Sequence, residues 1–177
     1  SGSMGGDPTR VVVTQHVFIH SWLTYQYNKR VKERFILHDT KAKEVPDFET
    51  YAKLNVAGGT MVHTAFDLIN EIVEKENLAK DYNIFVAYGT DGDDWGTSSD
   101  KMISGLNKML TYANRVGVTV VHNGWSSGAT TVEQKLTSSG LLEKSPNLIR
   151  MDVMDASAGE ERIFESIGKL FSEKKVD

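Results

Sequence analysis

The alternation of two hydrophobic patterns along the chain is the feature that most constrains its fold. Short apolar runs, such as residues 83–89 and 116–122, are typical of buried strands. Residues 98–115 instead carry apolar side chains every three or four positions, which indicates an amphipathic helix. Because strands and helices alternate, we expect an α/β fold with a mostly parallel sheet and helices on both faces.

The same patterns give bounds for the other elements. Asp7 and Pro8 predict the cap and first turn of a helix that runs to about Tyr27, apolar on most sides and packed deep against the sheet. The remaining expected strands cover residues 31–40, 41–48 and 147–154, and the remaining helices begin at Thr60 or cover 131–142 and 160–171. With no internal repeat and no long linker, residues 1–177 predict one domain.

Composition narrows the class of protein. A net charge of −4 without a cluster of basic residues argues against a general nucleic-acid binder. No apolar run approaches the roughly 20 residues that span a bilayer, so we expect no membrane partner. The absence of cysteine excludes thiolate chemistry and, with no charged-then-apolar leader, predicts a cytoplasmic location.

Two loops carry candidate functional residues. Asp91, Asp93 and Asp94 follow the apolar run 83–89, where carboxyl ends of parallel strands bind ligands. They form either a polar turn or a site for a hard cation such as Mg²⁺. The second loop, Ala57–Thr60, has two glycines before a threonine. It fits either a phosphate-binding turn or a helix entry capped by Thr60, and it lacks the lysine of a P-loop.

These loops resemble a known metal site. Ser1-Gly2-Ser3, Gly58-Gly59-Thr60 and Thr90-Asp91-Gly92 are similar, in order and spacing, to the metal-ion-dependent adhesion site of von Willebrand factor A domains. More specifically, HDTKAKEV (38–45), AGGTMVHTAF (57–66) and TDGDDW (90–95) resemble the YeaH/YhbH family. Taken alone, SGSMGG (1–6) also fits a cloning remnant, but beside the other two loops it fits half of a metal loop.

The resemblance implies a three-layer, Rossmann-like fold that holds Mg²⁺ at the edge of its sheet. It implies four metal ligands, namely Ser1, Ser3, Thr60 and Asp91. Neighbouring residues expected to support the ion or contact a partner are Gly58, Gly59, His63, Asp93, Asp94 and Trp95. The ion's open position would take a carboxylate of a protein partner. The resemblance further implies a PrkA-type serine protein kinase and a SpoVR-like protein as partners, in a stress or sporulation programme.

The chain departs from this pattern at its first motif. The family's site begins with an aspartate two residues before Ser1, at the end of a central strand, and here the sequence starts at Ser1. That strand would lie between the strands expected at 31–40 and 83–89. We therefore expect a rearranged sheet, a strand borrowed from another chain, or an open gap with unpaired backbone groups. We also expect a weakened metal site.

An enzyme is the alternative. A metal-assisted hydrolase or phosphotransferase could use Asp91, Asp93 and Asp94 together with a histidine. His38 and Asp39 could pair as base and orienting group, although a structural role is favoured. His16 and His20 have the spacing of a helical metal pair, but packing roles are favoured because no acidic residue of that helix completes the set. Without a recognisable nucleophile and base, we expect a binding domain that is not an enzyme.

Overall fold

The computed structural model describes residues 7–28, 30–54, 61–94, 99–124 and 127–173. The strands are β1 (Phe35–His38), β2 (Ala42–Val45), β3 (Phe85–Thr90), β4 (Arg115–His122) and β5 (Ile149–Asp155). The helices are α1 (Pro8–Tyr27), α2 (Phe48–Lys53), α3 (Val62–Lys75), α4 (Leu78–Asp81), α5 (Ser99–Leu110), α6 (Thr131–Ser139), α7 (Leu141–Lys144) and α8 (Glu160–Phe171). In these described ranges no helix is both long and apolar enough to cross a membrane.

The main sheet is parallel and has the order β3–β4–β5. Val86 of β3 is in register with Val116 of β4, which in turn is in register with Ile149 of β5. The central strand β4 is buried along almost its whole length. A strand covered on both faces carries a continuous apolar run, which is why residues 116–122 do not alternate. The prediction of an α/β fold with parallel strands and intervening helices is confirmed.

Two buried clusters lie against this sheet. The larger one joins β3 and β4 to α3, α5 and α6, with Phe66, Met102 and Leu106 fully buried. The smaller one joins Val11 of α1 and Ile163 of α8 to the ends of β4 and β5. Successive side chains of β4 enter different clusters, because side chains of a strand alternate between its faces. The helices thus cover the parallel sheet on both sides.

Strands β1 and β2 form a separate antiparallel sheet. In the described part of the chain neither strand pairs with β3, so the described strands form two sheets, of which only β3–β4–β5 is parallel. A cavity of about 100 Å³ lies between β1 and β3, under α1 and α2. Of the three arrangements expected from the sequence, this is the open gap.

Two short helices and the exposure of α1 differ from the expectations. Helix α2 follows β2 directly because Asp47 caps it, accepting the Thr50 N–H at 2.7 Å. Helix α4 is a single turn after α3. Helix α1 is capped by Asp7, but its carboxyl-terminal half projects past the sheet, and Trp22 and Tyr25 are exposed. The prediction that α1 packs deeply therefore holds for only part of its length.

Candidate functional site

The carboxylate of Asp91 lies at the carboxyl end of β3, where the parallel sheet meets the cavity. The side chain is half-buried, and its Oδ1 accepts the Asp93 N–H at 3.2 Å. Burial raises the pKa of Asp91, opposed by the hydrogen bond from the Asp93 backbone. Among the residues that the structure describes, no basic side chain forms an ion pair with this carboxylate. Asp91 is thus a partly desolvated anion that a bound cation would stabilise.

Asp94 has a different environment, although it is only three residues away. Its side chain is 1% exposed, and Oδ2 lies 2.8 Å from Nζ of Lys135 on α6. Its Oδ1 accepts the Val62 N–H, at the first turn of α3, at 3.3 Å. Asp93, between the two, is exposed. The three aspartates that the sequence groups together therefore have three separate environments.

Three chain segments meet around Asp91. Pro8 and Thr9, at the start of α1, line the cavity together with Asp91. The start of α3 is held at the same edge, because Asp94 binds the Val62 amide and the Met61 N–H donates to the Asp39 carbonyl at 3.1 Å. The first residues of both helices and the end of β3 thus converge.

Several predicted site residues lie outside the described residues. These are Ser1, Ser3, Gly58, Gly59, Thr60 and Trp95. Of the predicted set, the structure places Asp91, Asp93 and Asp94 in one loop and His63 on α3. His63 lines a groove between α3 and α5 together with Asp67 and Lys101. Within the described part of the chain, no three histidine or acidic side chains come close enough to hold a metal by themselves.

The cavity between β1 and β3 is lined by polar atoms without partners. His38 Nδ1 and His16 Nε2 are each buried and make no hydrogen bond with any residue that the structure describes. The ring centroids of His38 and Tyr88 are 5.4 Å apart. Burial lowers the pKa of His38 and raises that of Tyr88, so both side chains are neutral at pH 7. Buried polar atoms are almost always hydrogen-bonded, so this lining is incomplete as it stands.

The histidine pairs expected from the sequence separate in the structure. Asp39 caps its own turn, accepting the Lys41 N–H at 3.2 Å, and does not orient His38. His16 lies 2.6 Å from the Tyr51 hydroxyl, whereas His20 lies 2.7 Å from a carboxylate oxygen of Glu33. His16 and His20 therefore each have a separate partner within the fold, as the structural roles favoured from the sequence predict.

Sequence reasoning missed two contacts at this edge. Lys135 reaches Asp94 across 41 residues, and no local pattern signals such a pair. His122, at the end of β4, lies 2.6 Å from Glu133 of α6. The sequence Thr-x-x-Glu at 130–133 is a capping-box signal that places Glu133 at the helix start, and the structure shows both halves of that box.

The comparisons with known proteins give the family. The family model described as protein of unknown function (DUF444) matches residues 1–174. The chain belongs to the DUF444 family. It is 35% identical over 99 residues to a UPF0229 protein of Legionella pneumophila, an alignment covering 56% of this chain and 23% of the relative. It is 33% identical over 123 residues to a UPF0229 protein of Chromohalobacter salexigens, covering 67% of this chain and 28% of the relative.

A UPF0229 protein of Serratia proteamaculans is 31% identical over 123 residues, which is 67% of this chain and 29% of the relative. The chain thus spans about a quarter of the length of the curated DUF444 relatives that it matches. The YeaH/YhbH resemblance is consistent with this membership. No solved structure matches the chain.

Proposed function

We propose that this DUF444 domain is a Mg²⁺-dependent protein-binding module of the von Willebrand A type and not an enzyme. The observation that carries the proposal is the convergence of the α1 start, the α3 start and the β3 end around Asp91. The hydroxyl ligands implied by the resemblance, Ser1, Ser3 and Thr60, immediately precede these two helix starts in the sequence.

The charges at this edge support one cation with oxygen ligands. Lys135 neutralises Asp94, so among the described residues Asp91 is the half-buried carboxylate of this loop that forms no ion pair. A hard cation such as Mg²⁺ prefers oxygen ligands and keeps several waters. The ion would keep an open coordination position, and a carboxylate offered by a partner would fill it. Asp91 would hold the ion, and Asp94 would hold the surrounding chain.

We propose that the central strand of such a fold enters between β1 and β3, which must move apart to admit it because the cavity there measures only about 100 Å³. Extended chain there would pair with the open edges of both strands. It would also bring polar groups to the ring nitrogens of His38 and His16 that have no partner among the described residues. We propose that the segment preceding Ser1 in the full-length protein supplies this strand and the aspartate that completes the metal site.

Amide hydrogen exchange tests this placement of the strand. In the full-length protein, the amides of β1 and β3 that face the cavity should exchange slowly. In the chain that begins at Ser1, the same amides should exchange quickly, while the amides bonded between β3 and β4 stay protected in both proteins. Equal protection of the cavity-facing amides in both would contradict the placement.

The enzyme alternative has less support. Both carboxylate oxygens of Asp94 have partners, so the Asp91–Asp93–Asp94 group does not supply three free carboxylates. His38 is buried beside Tyr88 and His122 is bound to Glu133, so neither of these two histidines is placed as a free base beside Asp91. Turnover of a phosphoester by the full-length protein, abolished in Asp93→Asn, would favour the enzyme instead.

Calorimetric titration of the full-length protein with Mg²⁺ tests the binding function. We expect Asp91→Asn to weaken Mg²⁺ binding more than about tenfold, because it removes the charged ligand. Asp81→Asn is the matched control, since it removes an exposed charge at the end of α4, away from this loop, and it should change affinity less than about threefold.

Purified partners test the interaction itself. From the resemblance we propose a PrkA-type kinase and a SpoVR-like protein as partners, in the cytoplasm, within a stress or sporulation programme. Binding should require Mg²⁺, be lost with a chelator, and be lost in Asp91→Asn. If Mg²⁺-dependent binding persists in the double variant Asp91→Asn, Thr60→Ala, the adhesion-site proposal is wrong.

A further inference from the structure

Lys135 of α6 makes a buried ion pair that joins three elements at one carboxylate. Its Nζ lies 2.8 Å from Asp94 Oδ2, and the two side chains are 14% and 1% exposed. The other oxygen of Asp94 accepts the Val62 N–H of α3 at 3.3 Å. The loop after β3, the start of α3 and the second turn of α6 are thus held together at this point.

Helix α6 contacts the same loop at a second point. The Val132 N–H donates to the Gly92 carbonyl at 3.0 Å. Gly92 has a φ of +91°, and a Cβ there would lie 2.3 Å from Thr130 Oγ1, so the cap of α6 rests directly on its backbone. Gly92 is the residue after Asp91. Helix α6 therefore fixes the loop close to the proposed ligand and again at Asp94.

The burial of this pair indicates a geometric role. A buried ion pair stabilises a fold little compared with apolar side chains of the same size, because both charges lose their hydration. Removing one partner alone is costly, because it leaves a buried charge uncompensated. The pair of Lys108 and Glu74 on the surface makes a clear contrast, since those side chains are 55% and 71% exposed.

We propose that Lys135 is a positioning residue for the Asp91 site. Acting through Asp94, it fixes the separation between the Asp91 loop and the start of α3, which follows Thr60 in the chain. In this proposal Lys135 acts on the ion through the position of Asp94. This inference rests on the proposed Mg²⁺ function.

Three variants of the full-length protein test the inference. Lys135→Met removes the charge and keeps the apolar stem. The double variant Asp94→Asn, Lys135→Met also removes the opposite charge, and should regain much of the thermal stability lost in the single variant. Lys108→Met is the matched control for loss of a lysine ion pair. The measurements are calorimetric Mg²⁺ titration, thermal unfolding, and NMR of the Val62 and Gly92 amides.

We expect Lys135→Met to weaken Mg²⁺ binding by about tenfold or more. The double variant should stay equally weak in spite of its regained stability, and both should shift the Val62 and Gly92 amide signals. Lys108→Met should change neither the Mg²⁺ affinity nor the two amide signals.

If the double variant regains wild-type Mg²⁺ affinity, or if the two amide signals do not shift, Lys135 has no positioning role. If the wild-type protein binds no Mg²⁺, the proposed function fails, and unmoved amides in Lys135→Met would separately overturn the positioning.

Discussion

The side-chain amide of Gln15 accepts a hydrogen bond from the Thr119 hydroxyl at 2.8 Å, in the buried interface between α1 and β4. The same amide donates to the Ser166 hydroxyl of α8 at 3.0 Å. A glutamine that is 1% exposed thus joins two helices to the central strand. A fully satisfied buried network of this kind specifies one packing of its elements.

Gln15→Leu should lower the free energy of unfolding by about 1–3 kcal/mol, because Thr119 and Ser166 lose their buried partner. Adding Thr119→Val should recover part of this loss, since the second variant removes one of the unsatisfied groups. Denaturant unfolding measures both variants. A double variant that is less stable by the sum of two independent losses would contradict the coupling.

Gly140 and Gly92 both have a positive φ, and a comparison of their alanine variants distinguishes the cost of backbone strain from the cost of steric overlap. Gly140→Ala should cost about 1 kcal/mol, because alanine adopts this conformation with strain but meets only the flexible end of Lys144. Gly92→Ala should cost clearly more, about 2–4 kcal/mol, because its Cβ would also overlap Thr130. Thermal unfolding compares the two. Equal losses would mean that α6 shifts away from the loop without penalty.

His16 should make stability depend on pH in the weakly acidic range. Burial lowers the pKa of His16 from 6.5 to about 4. The unfolded chain therefore binds a proton near pH 6.5 that the folded chain does not bind until near pH 4. The free energy of unfolding should fall as pH drops through this window, by at most about 3 kcal/mol from this group.

Urea unfolding at several pH values between 7 and 4 measures the effect. His16→Gln should reduce the slope, because glutamine does not titrate. His20→Gln is the control, since His20 lies one turn later on the same helix and is bound to the partly exposed Glu33. An unchanged slope in His16→Gln would show that His16 is not neutral in the fold.

Glu133 should make the free energy of unfolding depend on pH in more acidic solution than His16 does. Burial alone opposes ionisation of Glu133, but hydrogen bonds from His122 and Thr130 outweigh it and lower its pKa below 4.5. A lowered pKa means that the stabilisation is complete above pH 4.5 and is lost as the pH falls below that value. Glu133→Gln should cost about 1 kcal/mol at pH 7 and flatten the acid dependence below pH 4.5. Exposed Glu143→Gln should leave both unchanged in the same acid titration.

The sequence predicts the elements of the parallel sheet well because their patterns are local. The apolar pattern of residues 116–122 predicts a buried strand, and β4 covers Arg115–His122. The closing helix predicted at 160–171 has the same bounds as α8. In contrast, the strand expected over 31–40 is only four residues long in the structure, where it pairs with the equally short β2.

The candidate site could be predicted only in part. The place of Asp91 at the end of a strand could be predicted, because the apolar pattern of residues 83–89 identifies the strand that precedes it. The separation of Asp94 from Asp91 does not follow, since it depends on Lys135, 41 residues away. The pairing of His16 with Tyr51 across 35 residues is equally invisible to local patterns. Contacts between distant elements depend on packing, which periodicity does not encode.

Among the residues that the structure describes, β1 and β3 each have one unpaired edge, which bears on how the domain behaves in concentrated solution. Unpaired strand edges are templates for intermolecular association. Here both edges border one narrow cavity beneath α1, so a neighbouring molecule must insert extended chain to satisfy the two together. We therefore expect a short extended peptide that pairs with both edges to bind in this cavity more readily than a folded neighbouring molecule does.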